Sequence, residues 1–150
     1  MDVRIVDLEP MDVASALAYG AEPENAALRM LWAWERKQER PGEPGRLFGF
    51  NNPSPSEGSP NYGYEVWREV NTNTRVEPPM TRKQFGGGTY AVTRVVGIAH
   101  ITETWMELVQ WAESCPYERG THQWLEEHLH AGEDVPPDDV VLDLYLPIRR

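Results

Sequence analysis

Apolar and polar residues alternate along several short segments of this chain, and such alternation is typical of β-strands with one buried face. In the clearest case, Tyr62–Val70, Tyr64 and Val66 share one face while Glu65 and Trp67 share the other. The segments that the pattern predicts as strands are residues 3–18 (one strand or two), 46–50, 62–70, 89–95, 121–129 and 140–148. Strands therefore make up much of the predicted fold.

Two further segments have apolar residues three and four positions apart, which predicts amphipathic helices. The first begins at Pro23 and ends near Gln38, because proline suits the first helical turn and Glu24 suits the positive end of the helix. The second begins at Ile101 and ends near Pro116, since a proline disfavours helical conformation in the residue before it.

The elements repeat one plan, strand–helix–strand–strand, in two halves of roughly 1–75 and 76–150. An offset of 77 positions pairs Ala14 with Ala91 and Leu31 with Leu108, and the offset becomes 78 in the last strand of each half. Two such βαββ units predict an α+β domain with a mainly antiparallel curved sheet, two helices and a central groove suited to a small ligand. Chance similarity between amphipathic segments is the alternative.

Length and composition narrow the class of protein. The 150 residues fit one domain, and a formal net charge of −10 disfavours direct contact with nucleic acid. The single cysteine, Cys115, excludes an internal disulfide, and the histidine spacing fits no common zinc pattern, so neither a metal nor a cofactor is expected. No apolar run is long enough to cross a membrane and no secretory signal is recognisable, which predicts a cytoplasmic protein.

The segment 121–129 places an acid beside a large aromatic ring. As a strand, it would put His122, Trp124, Glu126 and His128 on one face. A buried carboxylate is unfavourable unless a cation or a hydrogen-bond donor meets it, so we interpret Glu126 as a ligand-binding acid. An exposed edge strand with solvated acids is the alternative.

Several segments, taken in order, are similar to one known family. They are residues 5–14, Gly20, 64–67, the glycine-rich entry to 90–92, 125–128 and 143–148. Together they resemble the GyrI-like family, which is the effector-binding domain of multidrug-responsive and AraC-type bacterial transcription regulators. The resemblance implies a tandem βαββ fold and a pocket of aromatic rings around a glutamate, by position Glu126. His128 stands where relatives commonly have tyrosine, and the chain resembles the stand-alone members that lack a DNA-binding segment.

The expected function is binding or sequestration of a lipophilic cationic small molecule, without catalysis. The expected ligand-binding residues are Glu126, Trp124, Trp67, Tyr145, Trp105, Tyr64, Glu65 and His128. Ordinary core packing is the alternative for each ring, and homodimerisation is left open.

Two other functions stay open at this point. Some GyrI-like proteins hydrolyse cyclopropane-containing alkylating natural products. The corresponding catalytic residues would be Glu126 as general base, helped by Glu65 or Tyr145. A protein-binding role, such as gyrase binding, is the third hypothesis.

Overall fold

The computed structural model describes residues 1–38, 45–129 and 135–150 of an α+β protein with antiparallel strands and two α-helices among those residues. The strands are β1 (Arg4–Leu8), β2 (Met11–Gly20), β3 (Leu47–Asn51), β4 (Tyr62–Val70), β5 (Thr81–Phe85), β6 (Gly88–Val96), β7 (Glu118–Arg119), β8 (Leu125–His128) and β9 (Val141–Arg149). The helices are α1 (Pro23–Arg36) and α2 (Ile101–Glu113), with short 3-10 turns at Ile98–His100 and Pro137–Asp139. The predicted fold class is confirmed.

The chain forms two compact units. The first unit is Met11–Phe85, and the second unit combines Met1–Pro10 with Gly86–Arg150. The second unit is therefore discontinuous in sequence, because it takes its first strand from the beginning of the chain.

In the first unit the strand order is β5-β2-β4-β3, and α1 covers one face of this sheet. Ala14 and Ala16 on β2 are small enough to let the helix approach closely, and Leu28 and Leu31 of α1 pack with them in the core. The helix begins at Pro23 as predicted, since this residue needs no backbone N–H in the first turn.

In the second unit the strand order is β1-β6-β9-β8, with β7 paired to the end of β9. The helix α2 packs on one face, where Leu108 meets Ala91 of β6 and Leu144 and Leu146 of β9 in a buried cluster. Tyr145 lies on the other face of β9 and is also buried. The two units follow the same plan, since each has an antiparallel sheet with one helix packed on one face.

The internal repeat predicted from the sequence is visible in the strand register. Ala14 of β2 lies opposite Arg68 of β4, while Ala91 of β6 lies opposite Leu146 of β9, which reproduces the offsets of 77 and 78. At the same offset of 77, β5 corresponds to β1, and each is an edge strand, paired with β2 and β6 respectively. Each compact unit therefore combines one repeat, without its own first strand, with the first strand of the other repeat.

Some strand predictions were wrong. The segment predicted as a strand over 121–129 is a strand only over Leu125–His128. Its pairing with β9 begins at Leu125 opposite Tyr145, and two residues further outward Gln123 would lie opposite Pro147, which has no N–H to donate. The short strands β5 and β7 were not predicted, because their polar, partly exposed residues carry little alternation.

Candidate functional site

Two neighbouring acids on β8 point to opposite faces of the second unit's sheet. Glu127 lies opposite Asp143 and is only 7% exposed, whereas Glu126 lies opposite Leu144 and is half-buried. Directly opposed residues of an antiparallel pair share a face, and Leu144 belongs to the core under α2. Glu126 therefore lies on the α2 side of the sheet and Glu127 on the other side.

On the α2 side, Glu126 is in contact with an indole. The Trp105 Nε1–H donates a hydrogen bond of 3.1 Å to Glu126 Oε2, and the Trp105 and Trp124 ring centroids are 5.4 Å apart. Trp124 is 39% exposed, and the exposed Arg119 places its guanidinium carbon 5.2 Å from the centroid of that ring. Trp105, Arg119, Trp124 and Glu126 form what we call the Glu126 cluster, in which Arg119 and Trp124 are exposed to solvent.

The opposite face carries a buried network around Glu127. The Tyr145 hydroxyl donates a 2.6 Å hydrogen bond to Glu127 Oε1, and the Tyr145 ring meets the edge of Tyr90 with centroids 5.4 Å apart. Burial raises the pKa of the Tyr90 hydroxyl far above its usual range, and the neighbouring Tyr145 adds to this effect. Tyr90 therefore stays protonated at neutral pH, and its hydroxyl donates a hydrogen bond to the Gln123 carbonyl oxygen.

Glycines accommodate the histidine that borders this network. The His122 ring packs edge-on against Tyr90, with centroids 4.8 Å apart, and its Nε2 lies 2.8 Å from the Thr89 carbonyl oxygen. A Cβ on Gly88 or Gly120 would lie 2.6 or 2.5 Å from the ring of His122. Both positions therefore require glycine if the imidazole is to keep its place.

A second buried acid in this unit, Asp143, is neutralised by two arginines. Arg94 donates through Nε and Nη2 at 2.9 and 3.3 Å, and Arg4 donates through Nη2 at 2.7 Å. The hydrogen bond and the charge of Asp143 raise the pKa of the Arg94 guanidinium, which stays fully charged. This arrangement is a closed ion-pair network.

In the first unit the buried acid is Glu65, which occupies on β4 the position that Asp143 occupies on β9. Its Oε2 accepts hydrogen bonds from Ser15 Oγ at 2.7 Å, Trp67 Nε1 at 2.6 Å and Lys83 Nζ at 2.7 Å. Its Oε1 accepts one from Asn52 Nδ2 at 2.9 Å. We call Glu65 and these four donors the Glu65 cluster.

The protonation of Glu65 follows from these contacts. Burial alone would raise the pKa of this carboxyl group, but the hydrogen bonds from Lys83, Ser15, Asn52 and Trp67 outweigh burial, so the pKa lies below its usual value. Glu65 is therefore an anion at neutral pH. Its indole partner is enclosed by other rings, since Trp67 has Phe50 at 4.7 Å and Phe85 at 5.5 Å between centroids.

The residues expected from the sequence to bind a ligand are thus distributed over several places. Glu126, Trp105 and Trp124 lie together, as do Glu65 and Trp67. Tyr145 lies on the face of β9 opposite to that of Glu126, Tyr64 is buried in the α1 core, and His128 is half-buried at the end of β8.

Sequence reasoning missed Glu127, Tyr90 and Lys83. Glu127 and Tyr145 are 18 residues apart in the chain, and only the pairing of Leu125 with Tyr145 places them on one face of the sheet. The alternation along this strand could have identified Glu127, because it places this acid on the same face as the apolar Leu125.

Within residues 1–38, 45–129 and 135–150, no group of three or more histidine, cysteine, aspartate or glutamate side chains is placed to hold a metal ion. The same residues contain no helix whose length and apolar character would let it span a membrane.

A family model matches residues 4–148 of this chain, and that family is described as integron-associated effector binding protein. The match covers nearly the whole chain and agrees with the resemblance to effector-binding domains inferred from the sequence. No curated protein sequence matches the chain.

Solved structures share the fold at low sequence identity. The C-terminal domain of EcmrR is 14% identical with a TM-score of 0.72, covering 99% of this chain and 98% of that chain. A hydrolase from Listeria innocua is 16% identical with a TM-score of 0.70, covering 99% and 92%. SAV2435 bound to tetraphenylphosphonium is 11% identical with a TM-score of 0.61, covering 99% and 94%.

Proposed function

Because this chain belongs to the family of integron-associated effector-binding proteins, we propose that it binds a lipophilic cationic small molecule, with the Glu126 cluster holding the cation. The observation that carries the proposal is a half-buried carboxylate in contact with one indole and close to a second, partly exposed one. In this proposal the protein sequesters or senses such compounds in the cytoplasm and does not itself contact DNA.

The chemistry of the Glu126 cluster favours a delocalised cation. An indole face attracts a cation by ~0.5–2 kcal/mol, and a partly desolvated carboxylate adds a Coulomb attraction that water screens less than at an open surface. A lipophilic cation loses less hydration on entry than a small ammonium ion does. Arg119 already lies over Trp124, which supports the view that this ring accepts positive charge.

The whole chain also favours a cation over an anion. A formal net charge of −10 attracts positive ligands and repels phosphates at low ionic strength. Tetraphenylphosphonium is the ligand of SAV2435, a protein with the same fold, and it is therefore a suitable probe.

The test is a titration of the wild type and of Glu126→Gln with tetraphenylphosphonium, followed by calorimetry and by tryptophan fluorescence. We expect Glu126→Gln to weaken binding by about tenfold or more, which corresponds to ~1.4 kcal/mol. The neutral compound triphenylphosphine oxide should bind both proteins equally weakly.

Glu118→Gln is the matched control, because it removes the same charge from an exposed residue of the same unit. Equal affinities of Glu126→Gln and Glu118→Gln would contradict the role of Glu126. A loss seen only in Glu127→Gln would show that the acid on the other face of β8 binds the cation instead.

A second candidate function is hydrolysis of a strained ring in an alkylating natural product. The observation that favours it is the 2.6 Å hydrogen bond between Tyr145 and Glu127, since a buried hydroxyl–carboxylate pair can donate and accept a proton. Water would add to one ring carbon and lose a proton to the carboxylate, while the hydroxyl would protonate the carbon released by bond cleavage. In this form the general base is Glu127, whereas the sequence suggested Glu126 as general base, helped by Glu65 or Tyr145.

The hydrolase hypothesis is tested by incubating the protein with a cyclopropane-bearing alkylating compound and detecting the ring-opened water adduct by mass spectrometry. Tyr145→Phe and Glu127→Gln should abolish its formation. Adduct formation at the same rate without protein would rule this function out.

A further inference from the structure

We propose that Glu65 is a second cation-binding position, specific for an alkylammonium group, and that Lys83 is the internal cation that an incoming ligand must displace. This inference goes beyond the function proposed above. It concerns the first unit and shares no residue with the Glu126 cluster.

The position is built to hold a positively charged nitrogen. The side chain of Glu65 is only 1% exposed, and the Lys83 ammonium nitrogen lies 2.7 Å from its Oε2. Charge-assisted hydrogen bonds of this length are stronger than neutral ones, and a primary ammonium offers three donors. The structure therefore shows this carboxylate already binding an alkylammonium, which the protein itself supplies.

Lys83 lies between solvent and the buried carboxylate that its nitrogen contacts. The lysine side chain is 42% exposed although its nitrogen touches a carboxylate that is almost completely covered. It belongs to the edge strand β5, where it lies opposite Val13 of β2. A lysine has a flexible four-carbon stem, so rotation into water would expose Glu65 Oε2 without moving the backbone.

The rest of the Glu65 cluster would keep the site formed after Lys83 leaves. Ser15, Asn52 and Trp67 still donate hydrogen bonds to the carboxylate, and these bonds lower the pKa of Glu65 against the opposing effect of burial. Leu17, which is 50% exposed, lies directly opposite Glu65 in the strand register and offers an apolar contact. An amine with an apolar body therefore suits the position.

In the second unit, the buried acid at the equivalent position is bound by two arginines through several hydrogen bonds. Asp143 there is held by Arg94 through two nitrogens and by Arg4 through a third. A guanidinium is planar, always charged and fixed by several parallel hydrogen bonds, whereas a single lysine is held through one nitrogen. A competing ammonium can therefore displace Lys83 from Glu65 more readily than it can displace the two arginines from Asp143.

The experiment compares binding of 1-naphthylmethylamine, with the neutral isostere 1-naphthalenemethanol as control, to wild type, Lys83→Met and Lys83→Arg. We expect Lys83→Met to bind the amine at least about tenfold more tightly than the wild type, and Lys83→Arg to bind no better than the wild type. The gain should disappear in the double variant Glu65→Gln with Lys83→Met, and the alcohol should show no gain.

The wild type gives an independent measurement if Lys83→Met does not fold. The chain has two lysines, Lys37 and Lys83, so the exposed Lys37 serves as an internal reference in NMR spectra of the side-chain ammonium groups. Added amine should shift the Lys83 signal and leave that of Lys37 in place. Unchanged affinity in Lys83→Met, or a Lys83 signal unaffected at saturating amine, would overturn the proposal.

The two proposals can fail separately. Glu126→Gln should leave the gain from Lys83→Met intact, and Lys83→Met should leave the contribution of Glu126 to tetraphenylphosphonium binding intact. A loss of both effects in Glu126→Gln would mean that the two positions are not independent, which contradicts the second site.

Discussion

Replacing Glu65 by glutamine should destabilise the protein, because it removes the charge from a carboxylate that accepts four hydrogen bonds. In Glu65→Gln the amide oxygen can take the place of Oε2 and keep the bonds from Ser15, Trp67 and Lys83. The amide nitrogen then takes the place of Oε1, where Asn52 can turn its own amide to present oxygen. The geometry of the cluster is therefore retained while the charge is lost.

The size of the effect follows from the three bonds to Oε2. A hydrogen bond to a charged group contributes ~1.5–3 kcal/mol and a neutral one ~0.5–1.5 kcal/mol, so three bonds lose about 3 kcal/mol together. Burying a neutral amide is less unfavourable than burying an anion, which offsets part of this loss. We expect a net decrease of ~2 kcal/mol in the free energy of unfolding, or ~4–8 °C in Tm for a chain of this size.

The effect should depend on pH in a defined direction. The pKa of Glu65 in the folded protein lies below the ordinary value of 4.5 that applies to the unfolded chain. Its charge therefore stabilises the folded state fully above that ordinary value. The contribution decreases as the pH falls below 4.5 and is lost once the pH passes the folded pKa. Because other acids titrate alike in both proteins, the difference between wild type and Glu65→Gln isolates this one group.

The assay is urea unfolding of wild type and variant, followed by circular dichroism from neutral pH down to about pH 3, the range over which a carboxylate with a lowered pKa becomes protonated. Glu77→Gln is the control, since Glu77 pairs with the exposed Arg75 at the surface and should change stability by less than ~0.5 kcal/mol. Equal stability of wild type and Glu65→Gln at neutral pH would refute the reasoning. A difference that stays constant on acidification would also refute it.

Two further predictions concern packing. Leu31→Ala and Leu108→Ala, at equivalent positions of the two helices, should each lower the free energy of unfolding by ~2–5 kcal/mol, as measured by urea unfolding, because both side chains are fully buried. The exposed Met106→Ala should have little effect, and so small a change in either leucine variant would argue against the two cores. Gly63→Ala should lower the Tm through a loss of ~1–3 kcal/mol, since its Cβ would lie 1.7 Å from the Asn52 carbonyl oxygen. Gly86→Ala, where a Cβ meets nothing within 4 Å, is the control, and equal Tm values for both variants would contradict this contact.

Most elements of the fold were predictable, because their residues decide them locally. The strand Tyr62–Val70 and the start of α1 at Pro23 agree with the structure, since alternation and a first-turn proline act within a few residues. The repeat was also predictable, because equivalent positions carry similar side chains at constant offsets. Edge strands such as Thr81–Phe85 could not be predicted from the sequence, because a strand with only one neighbouring strand needs no apolar pattern.

The arrangement of the buried acids depends on the tertiary structure. The sequence by itself determined that Glu65 and Asp143 lie on apolar strands and that adjacent acids on β8 point to opposite faces. It did not determine their partners, because Lys83 lies 18 residues from Glu65 and Arg4 lies 139 residues from Asp143. Such contacts are set by which strands pair and in which register, and pairing is decided by the packing of a whole sheet against its helix.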